Sequence, residues 1–595
     1  MLVLHNGNSY EELAGDLEVM KLDDKSIPPW EALSYAWGTS TTYSRIKIGE
    51  RFIKISANLG DALRRLRCRS GAKAPEPGRR LWVDQICINQ EDIPERSQQV
   101  QLMYSIYEKA KDVNVWLGPD RFGTAKRAFF SLHLLVSLST VQQLMLRDDD
   151  SGALEPIYRD LEVLFDQPWF SRLWIIQEVG TMTPATVFWG QECIDFFTLY
   201  KASCVISNDL FRVASYLSGR VSLARSLYQS FVEGRKRLTR MEKDFAFQLY
   251  WFNMGSDRLC LDPRDRVFSL LGHYSALIGP DRRPIMRADY SLTKTDVYQE
   301  IAIRALTDTK STFILNAVQH FDQIRVPSWI PDWGDSKTHH VVFHRPHFDW
   351  MGVATNHPLV ARVLKPQNML EIRGFVFDTV DISAQAFNRD GTCWKANYWD
   401  QYPYRTYPSR TWDETHILEK IWDDICGHDI FDFLAEYHAI GSSALVAFLD
   451  TCTGGWNPPF YFAEPGGCSS AMIPADEAFN GVSYLSRVVP PGRIDVSDIP
   501  EGKDDADFWQ ALFFRAVNHR RFAKTAGGYY ALCPELTEEG DLVVVFMGYQ
   551  TPFILRPTGD EFLLVGECYV HGIMQGQALT RLENGEAVLR DFNIL

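Results

Sequence analysis

The stretch Pro168–Val179, PWFSRLWIIQEV, places a carboxylate among aromatic and aliphatic side chains. Trp174 and Glu178 are four residues apart, so in a helix they share one face, and Ser171 is the predicted N-cap of that helix. Burial beside aromatic rings penalises the ionised form of an acid, so a glutamate here needs either a charge partner or a chemical task. The two interpretations are an ion pair with Arg172 and a functional carboxylate.

A second carboxylate follows a predicted buried strand. In Leu81–Gln90, LWVDQICINQ, the apolar run Leu81–Val83 is typical of a strand, and Asp84 lies at its carboxyl end. Open α/β sheets bind their ligands at this edge, which makes Asp84 a candidate site residue. The alternative is that Asp84 is a turn or capping residue.

Alternating strands and helices would position these two acids. Four short apolar runs predict successive strands: Trp30–Gly38, Leu81–Val83, Asp112–Gly118 and Ala185–Gly190. Arg45–Ile55 alternates apolar and polar residues and predicts a hairpin. Helical patterns lie between the strands, one beginning at Ser56 and another near Pro94. This spacing favours an α/β fold in which a parallel sheet has helices on both faces.

The composition is that of a globular protein without a nucleic-acid-binding surface. Hydrophobic residues make up 46% and charged residues 23% of the 595 residues, and the formal net charge is −15, whereas a nucleic-acid binder carries a basic face. The eleven cysteines include no CxxC pair, which favours reduced thiols. Because neither a signal peptide nor a membrane-spanning apolar run is evident, we expect a soluble cytoplasmic protein.

Four sequence blocks resemble the successive motifs of the fungal HET (heterokaryon incompatibility) domain. They are Ser34–Gly38 (SYAWG), Leu81–Gln90, Glu95–Gly118 and Pro168–Glu178, all within about residues 30–190. HET domains are in turn similar to TIR domains, which have a flavodoxin-like parallel sheet and some of which cleave NAD at the nicotinamide–ribose bond. The TIR catalytic glutamate lies four residues after a tryptophan in a WCxxE motif. Trp174 and Glu178 have this spacing, with Ile175 in place of the cysteine.

The resemblance implies NAD as a candidate substrate and no resident cofactor, and we predict no metal site. Glu178 would be the catalytic residue, held beside the anomeric carbon to stabilise an oxocarbenium-like ribose. Nicotinamide is already a good leaving group, so a second acid to protonate it is unnecessary. Arg172 would hold a phosphate, and for Trp37 and Trp174 the alternative is core packing. The residues implied to bind substrate are Tyr35, Trp37, Gly38, Asp84, Arg172 and Trp174.

The remaining two-thirds of the chain contain fewer motifs. We expect a HET domain over residues 1–195, a mainly helical region over 196–325, a mixed α/β region over 326–520 and a β-rich region over 521–595. Asp257–Gly272 is rich in Asp and Arg and predicts ion pairs that anchor a helix against the first domain. Four histidines in His339–His347 fit no metal-ligand spacing, and Val341–Phe343 favours a strand there.

Two functions remain open on the sequence alone. The first is an effector of non-self recognition and programmed cell death that cleaves NAD. The second is a non-enzymatic module that assembles with other incompatibility or signalling proteins, or with copies of itself. The environment of Glu178 discriminates between them. An open pocket beside Asp84 and the SYAWG loop favours an enzyme, whereas a closed core in which Arg172 caps Glu178 favours an interaction module.

Overall fold

A computed structural model shows two compact units, Met1–Ile301 and Ala302–Leu595. The residues that it describes are 1–8, 10–24, 26–38, 42–67, 78–137, 155–181, 183–209, 259–278, 282–334, 353–354, 357–366, 368–384, 386–387, 417–428, 431, 435–455, 485, 513, 516–517 and 519–595. The histidine-rich stretch His339–His347, with its predicted strand, lies outside the described residues. The boundary predicted after residue 195 falls inside the first unit, and the boundary predicted after residue 520 falls inside the second.

The first unit is built on a nine-stranded mixed sheet. Its strands are β1 Leu2–His5, β2 Ala14–Leu17, β3 Glu31–Tyr35, β4 Tyr43–Ile48, β5 Arg51–Ser56, β6 Gly78–Trp82, β7 Asp112–Gly118, β8 Ala185–Trp189 and β9 Glu192–Asp195. They lie in the order β5-β4-β2-β1-β6-β3-β7-β8-β9. The strands β6, β3, β7 and β8 are parallel. By their own order along the chain they run 2-1-3-4, the order of the flavodoxin-like sheet.

Helices cover both faces of this sheet, as expected. The described helices in this part of the chain are α1 Ala57–Leu66, α2 Asp84–Cys87, α3 Ile93–Glu108, α4 Ala125–Ser137, α5 Glu155–Phe165, α6 Ile175–Val179, α7 Phe196–Asp209 and α8 Asp265–Phe268. A ninth helix, α9 Lys294–Thr307, begins in the first unit and ends in the second. In α1, Leu63 packs in one cluster with Leu33 of β3. Tyr107 of α3 packs edge-on against Trp82 at 5.4 Å between ring centroids. The side chain of Trp82 lies on the opposite face, because side chains alternate along β6.

The expected parallel sheet is mixed because the chain adds antiparallel strands at both sides of the parallel core. The sequence patterns missed β1 and β2, which are only four residues long, and β1 pairs antiparallel with β6. The predicted hairpin is confirmed as β4 and β5. The N-cap at Ser56 is confirmed as well, since its hydroxyl accepts a hydrogen bond from the backbone N–H of Leu59 at 3.2 Å. A separate two-stranded ladder consists of β10 Leu277–Ile278 and β11 Arg283–Pro284.

The second unit contains a closed ring of strands, consistent with the predicted β-rich C-terminal region. Its strands are β12 Ala361–Leu364, β13 Met369–Ser383, β14 Glu436–Tyr437, β15 Ser442–Ser443, β16 Arg520–Thr525, β17 Tyr530–Pro534, β18 Leu542–Phe546, β19 Phe553–Thr558, β20 Glu561–Glu567, β21 Tyr569–Val570 and β22 Arg590–Ile594. The long strand β13 pairs with both β22 and β18. The strands β18, β19, β20, β22 and β13 therefore close on themselves.

Three α-helices accompany these strands in the described part of the second unit: α10 Ile417–Ile421, α11 Ala444–Thr453 and α12 Thr580–Glu583. A π-helical turn, Trp422–Cys426, directly follows α10. Trp422 and Phe448 of α11 pack edge-to-face at 5.3 Å in the core of this unit. Within the described residues, no helix combines the length and the apolar composition needed to cross a bilayer.

Candidate functional site

Glu178 lies in a five-residue helix that follows a turn and an extended segment. Pro168–Ser171 forms a 3-10 turn, and α6 begins only after Trp174, which occupies the N-cap position. The prediction that Ser171 caps a continuous helix was wrong. The carbonyl of Ser171 accepts from the backbone N–H of Leu259 at 2.6 Å, and the N–H of Leu173 donates to the carbonyl of Leu259 at 3.1 Å, so this pairing keeps the segment extended.

The carboxylate of Glu178 is closed off from solvent, with 1% of the residue exposed. Arg172 donates two hydrogen bonds to it, from Nη1 to Oε2 and from Nη2 to Oε1, each 3.0 Å long. The hydroxyl of Ser34 donates to Oε2 and accepts from Nε1 of Trp169 at 2.7 Å. Both oxygens of Glu178 therefore have donors, as a buried anion requires.

Burial and pairing act in opposite directions on these two charges. Burial raises the pKa of Glu178, and the guanidinium of Arg172 opposes that increase. Burial alone would lower the pKa of Arg172, but the carboxylates of Glu178 and Asp84 bring this pKa above its ordinary value. The guanidinium therefore stays charged, and removing one member of the pair would leave a buried charge without compensation.

Asp84 lies where the sequence placed it, at the carboxyl end of β6 and at the start of α2. Its Oδ2 accepts from Nε1 of Trp37 at 2.8 Å, and its Oδ1 accepts from the backbone N–H of Gln85 at 2.7 Å. Burial raises the pKa of Asp84, and Arg172 opposes the increase. The structure thus brings Asp84, Trp37, Arg172 and Glu178 into one polar cluster.

Tyr35 and Gly38, the other residues of the SYAWG motif that were predicted to bind substrate, lie in different environments. Tyr35 is buried in the core of the first unit, and its hydroxyl lies 3.5 Å from Oε1 of Gln85. Burial raises the pKa of Tyr35 well above its ordinary value. Gly38 is exposed and has a φ of 76°, a conformation that glycine adopts without strain. Tyr35 therefore packs in the core beside the cluster, and Gly38 forms the turn after it.

Trp174 contacts a third acid. Its Nε1 donates to Oδ2 of Asp265 at 3.1 Å, and the hydroxyl of Tyr290 donates to Oδ1 at 2.6 Å. Burial raises the pKa of Asp265 to about 6. Of the ion pairs predicted for this segment, Asp262 pairs locally with Arg264 at 2.7 Å and with Arg96 of α3 at 3.5 Å. The link from Asp265 to Trp174 was not predicted.

Sequence reasoning also missed Ser34 and Trp169, although both lie inside the motifs that were singled out. The available signal was the composition of β3, EALSY, in which Ser34 is a hydroxyl on an otherwise apolar and buried stretch. A buried hydroxyl needs a hydrogen-bond partner. The partner could not be named, because Glu178 lies 144 positions further along the chain.

The hydrogen bonds within the polar cluster limit which ligands it can bind. Arg172, which the resemblance implied for phosphate binding, already directs both terminal nitrogens to Glu178. Within the part of the chain that the structure describes, no three His, Cys, Asp or Glu side chains come together as metal ligands would. The chemistry on offer is therefore that of a buried carboxylate–guanidinium pair with a second acid, Asp84, beside it.

Two family matches now agree with this architecture. Residues 30–178 match the family of heterokaryon incompatibility (HET) proteins, and residues 501–590 match the Het-6 beta-barrel domain. The first match spans the parallel strands β3, β6 and β7 and ends at Glu178, and the second spans the C-terminal strands β16 to β21. The chain therefore combines a region similar to HET-family proteins with a region similar to the Het-6 beta-barrel domain.

One relative extends the similarity to nearly the whole chain. Heterokaryon incompatibility protein 6, OR allele, of Neurospora crassa is 25% identical, and the alignment covers 94% of this chain and 92% of that protein. No solved structure matches the chain.

Proposed function

We propose that this protein takes part in fungal non-self recognition as a signalling module, and that its HET domain acts by contacting partner proteins. The observation that supports a non-enzymatic role is the burial of Glu178. This residue is 1% exposed, and both of its carboxylate oxygens accept hydrogen bonds from Arg172. A carboxylate that stabilises a ribosyl cation must approach the substrate. The similarity to an incompatibility protein over 94% of the chain supports the role in recognition.

NAD hydrolysis is the second candidate, and one feature favours it. Glu178 and Asp84 both act electrostatically on the Arg172 guanidinium, close to the carboxyl ends of β3 and β6, the edge at which doubly wound sheets bind ligands. On this hypothesis an anionic ligand draws Arg172 away from Glu178 and thereby frees the carboxylate. The hypothesis requires an opening of the ion pair, whereas the signalling module requires none.

The two candidate functions predict different activities for a variant that lacks the charges of both Arg172 and Glu178. Arg172→Met combined with Glu178→Met replaces the pair with apolar side chains of similar length, a change that buried ion pairs often tolerate. We expect full-length protein expressed in a fungal host to arrest growth, and we expect the double variant to arrest it to the same extent. Protein abundance and the near-ultraviolet circular dichroism spectrum serve as controls for folding.

A double variant that is folded and abundant but no longer arrests growth would contradict the signalling module and favour a catalytic Glu178. The matched control is Arg127→Met with Asp160→Met. This pair also has two hydrogen bonds, at 2.9 and 2.8 Å, but the Arg127 side chain is 62% exposed. Loss of activity in the control as well would indicate a general effect on the domain.

A further inference from the structure

The nine-stranded sheet of the first unit ends in two edge strands, β5 and β9. Each has a single neighbouring strand among the described residues, and its register with that neighbour is continuous. Ser56 at the end of β5 directs its backbone N–H to Oε1 of Gln85 at 3.1 Å, so the stretch open to a new strand is Arg51–Ile55. An edge strand offers backbone donors and acceptors to any strand that can lie beside it.

The two edges carry opposite charge. The hairpin of β4 and β5, Tyr43–Ser56, contains four basic residues and one acidic residue, and β9 contains two acidic residues and no basic one. Arg51 and Lys54 on one edge are exposed, as are Glu192 and Asp195 on the other. Charges on an edge strand protect it from aggregation whatever their sign. Opposite signs also determine which edges can pair, because a β5 edge repels another β5 edge and attracts a β9 edge.

The pairing registers also match the two edges in orientation. Following the alternation of parallel and antiparallel pairs across the sheet, β5 and β9 run in the same direction. Residues that are partners across neighbouring strands have their side chains on the same face of the sheet, and side chains alternate between the two faces along each strand. Followed from β5 to β9, these registers place Lys54 and Glu192 on the same face. A second copy shifted along the sheet can therefore add its β9 beside β5 as a parallel strand with these charges adjacent.

We propose that the β5 edge of one copy binds the β9 edge of a second copy, so that copies join head to tail. Because the two surfaces differ, the contact is heterologous, and we propose that it produces an open-ended series of copies rather than a symmetric dimer. The contact involves β5 and β9 and neither Arg172 nor Glu178, so the proposal is independent of the role of that ion pair.

Sedimentation velocity of the full-length protein tests the proposal. At low ionic strength we expect the average sedimentation coefficient to rise continuously with protein concentration. At about 1 M salt, where charges are screened beyond roughly 3 Å, we expect the rise to diminish strongly. Each result follows from an open-ended contact between edges of opposite charge.

Charge reversal identifies the edges. Lys54→Glu places an acid opposite Glu192, and Glu192→Lys places a base opposite Lys54, so each variant alone should remain monomeric. An equimolar mixture should assemble again, since the reversed edges attract each other and the unaltered edges form the native contact. Lys126→Glu, an exposed residue of α4, changes the net charge equally to Lys54→Glu and should assemble like the wild type.

Three outcomes would overturn the proposal. The first is a wild-type protein that stays monomeric at every concentration at low ionic strength. The second is an assembly that stops at a dimer, because a symmetric dimer does not use two different edges. The third is an assembly that Lys54→Glu and Glu192→Lys leave unchanged, or that their mixture fails to restore while both variants are folded.

Discussion

Arg172 and Glu178 form a buried ion pair joined by two hydrogen bonds. Removing one partner of such a pair destabilises a protein more than replacing both partners with apolar residues. The free energy of unfolding should fall by about 3–5 kcal/mol for Glu178→Met or Arg172→Met alone, because either change leaves an unpaired buried charge. The double variant should lose much less than the sum. Chemical denaturation of the four proteins measures this as a double-mutant cycle.

The pair Arg127–Asp160, in which the arginine side chain is 62% and the aspartate side chain 14% exposed, provides the comparison within the same unit. Arg127→Met should lower the free energy of unfolding far less than Arg172→Met does, since an ion pair whose arginine is largely solvated contributes little. Equal losses for Arg172→Met and Arg127→Met would show that Glu178 does not depend on its partner, contrary to the buried-pair interpretation.

Asp265 should make the stability of the first unit depend on pH. Its pKa is about 6 in the folded protein and about 3.9 when unfolded. The folded state therefore binds more protons between these values, and the stabilisation is present below about pH 4 and lost as the pH rises through 6. Asp265→Asn should remove this component, on the order of 2–3 kcal/mol, from the difference in unfolding free energy between pH 4 and pH 7.

Denaturant unfolding of the wild type and of Asp265→Asn across that pH range checks the prediction. Other acids titrate in the same window, so the informative quantity is the difference between the two proteins and not either curve alone. If the two curves run parallel from pH 4 to pH 7, Asp265 does not titrate as its burial requires.

The sequence identified Glu178 and named Arg172 as its partner in one of two interpretations, but it could not decide between them, for a reason that lies in the chain geometry. Arg172 precedes Glu178 by six residues, outside the spacings at which helical neighbours meet. The two side chains meet because the extended segment beside Leu259 separates the 3-10 turn from α6. The pairing of Ser171 and Leu173 with Leu259 joins residues more than eighty positions apart, which no local pattern encodes.

At the scale of elements, the helix that carries Glu178 depends on the segment from Leu259 to Tyr290. Besides the pairing at Leu259, Nε2 of Gln177 donates to the carbonyl of Phe268 at 2.9 Å. Gly272 approaches α3 so closely that a Cβ atom in its place would lie 2.4 Å from Cβ of Tyr104. The segment is therefore packed into the first unit, although the family match ends at Glu178.

A fragment of residues 1–195 should accordingly fail to fold, and a fragment of residues 1–307, which ends with α9, should fold. The shorter fragment leaves Nε2 of Gln177 without the carbonyl of Phe268 and Trp174 without Asp265. Proteolytic resistance and a cooperative thermal transition are the measurements. A cooperative transition in the shorter fragment at the temperature of the longer one would show that the Leu259–Tyr290 segment is dispensable.

Elements with strong local patterns were predictable, and elements stabilised only by distant partners were not. The apolar runs of β3, β7 and β8 and the alternation of β4 and β5 follow from the sequence. By contrast, β1 consists of four residues, LVLH, whose role appears only when its registers with β2 and β6 are known. The missed strands β1, β2 and β9, with their antiparallel pairings, are why a parallel sheet was expected and a mixed one is found.

At the scale of the whole molecule, the β-rich character of the C-terminal region was predictable, but its closure was not. Leu370 of β13 pairs with Ile594 of β22, more than two hundred residues away, and the same strand pairs with β18. The boundary predicted after residue 520 followed a change in local composition. Composition cannot show that β13, which precedes that position, belongs to the same ring as the strands that follow it.

The role proposed for the whole protein depends on whether Glu178 reacts with NAD. Nicotinamide release by the purified full-length protein, at concentrations high enough to favour assembly, tests this most directly beside Glu178→Gln and a known NAD-cleaving enzyme. The buried pair predicts no release by either form of this protein. Release by the wild type that Glu178→Gln abolishes, with the same circular dichroism spectrum, would contradict the signalling module and assign Glu178 to catalysis.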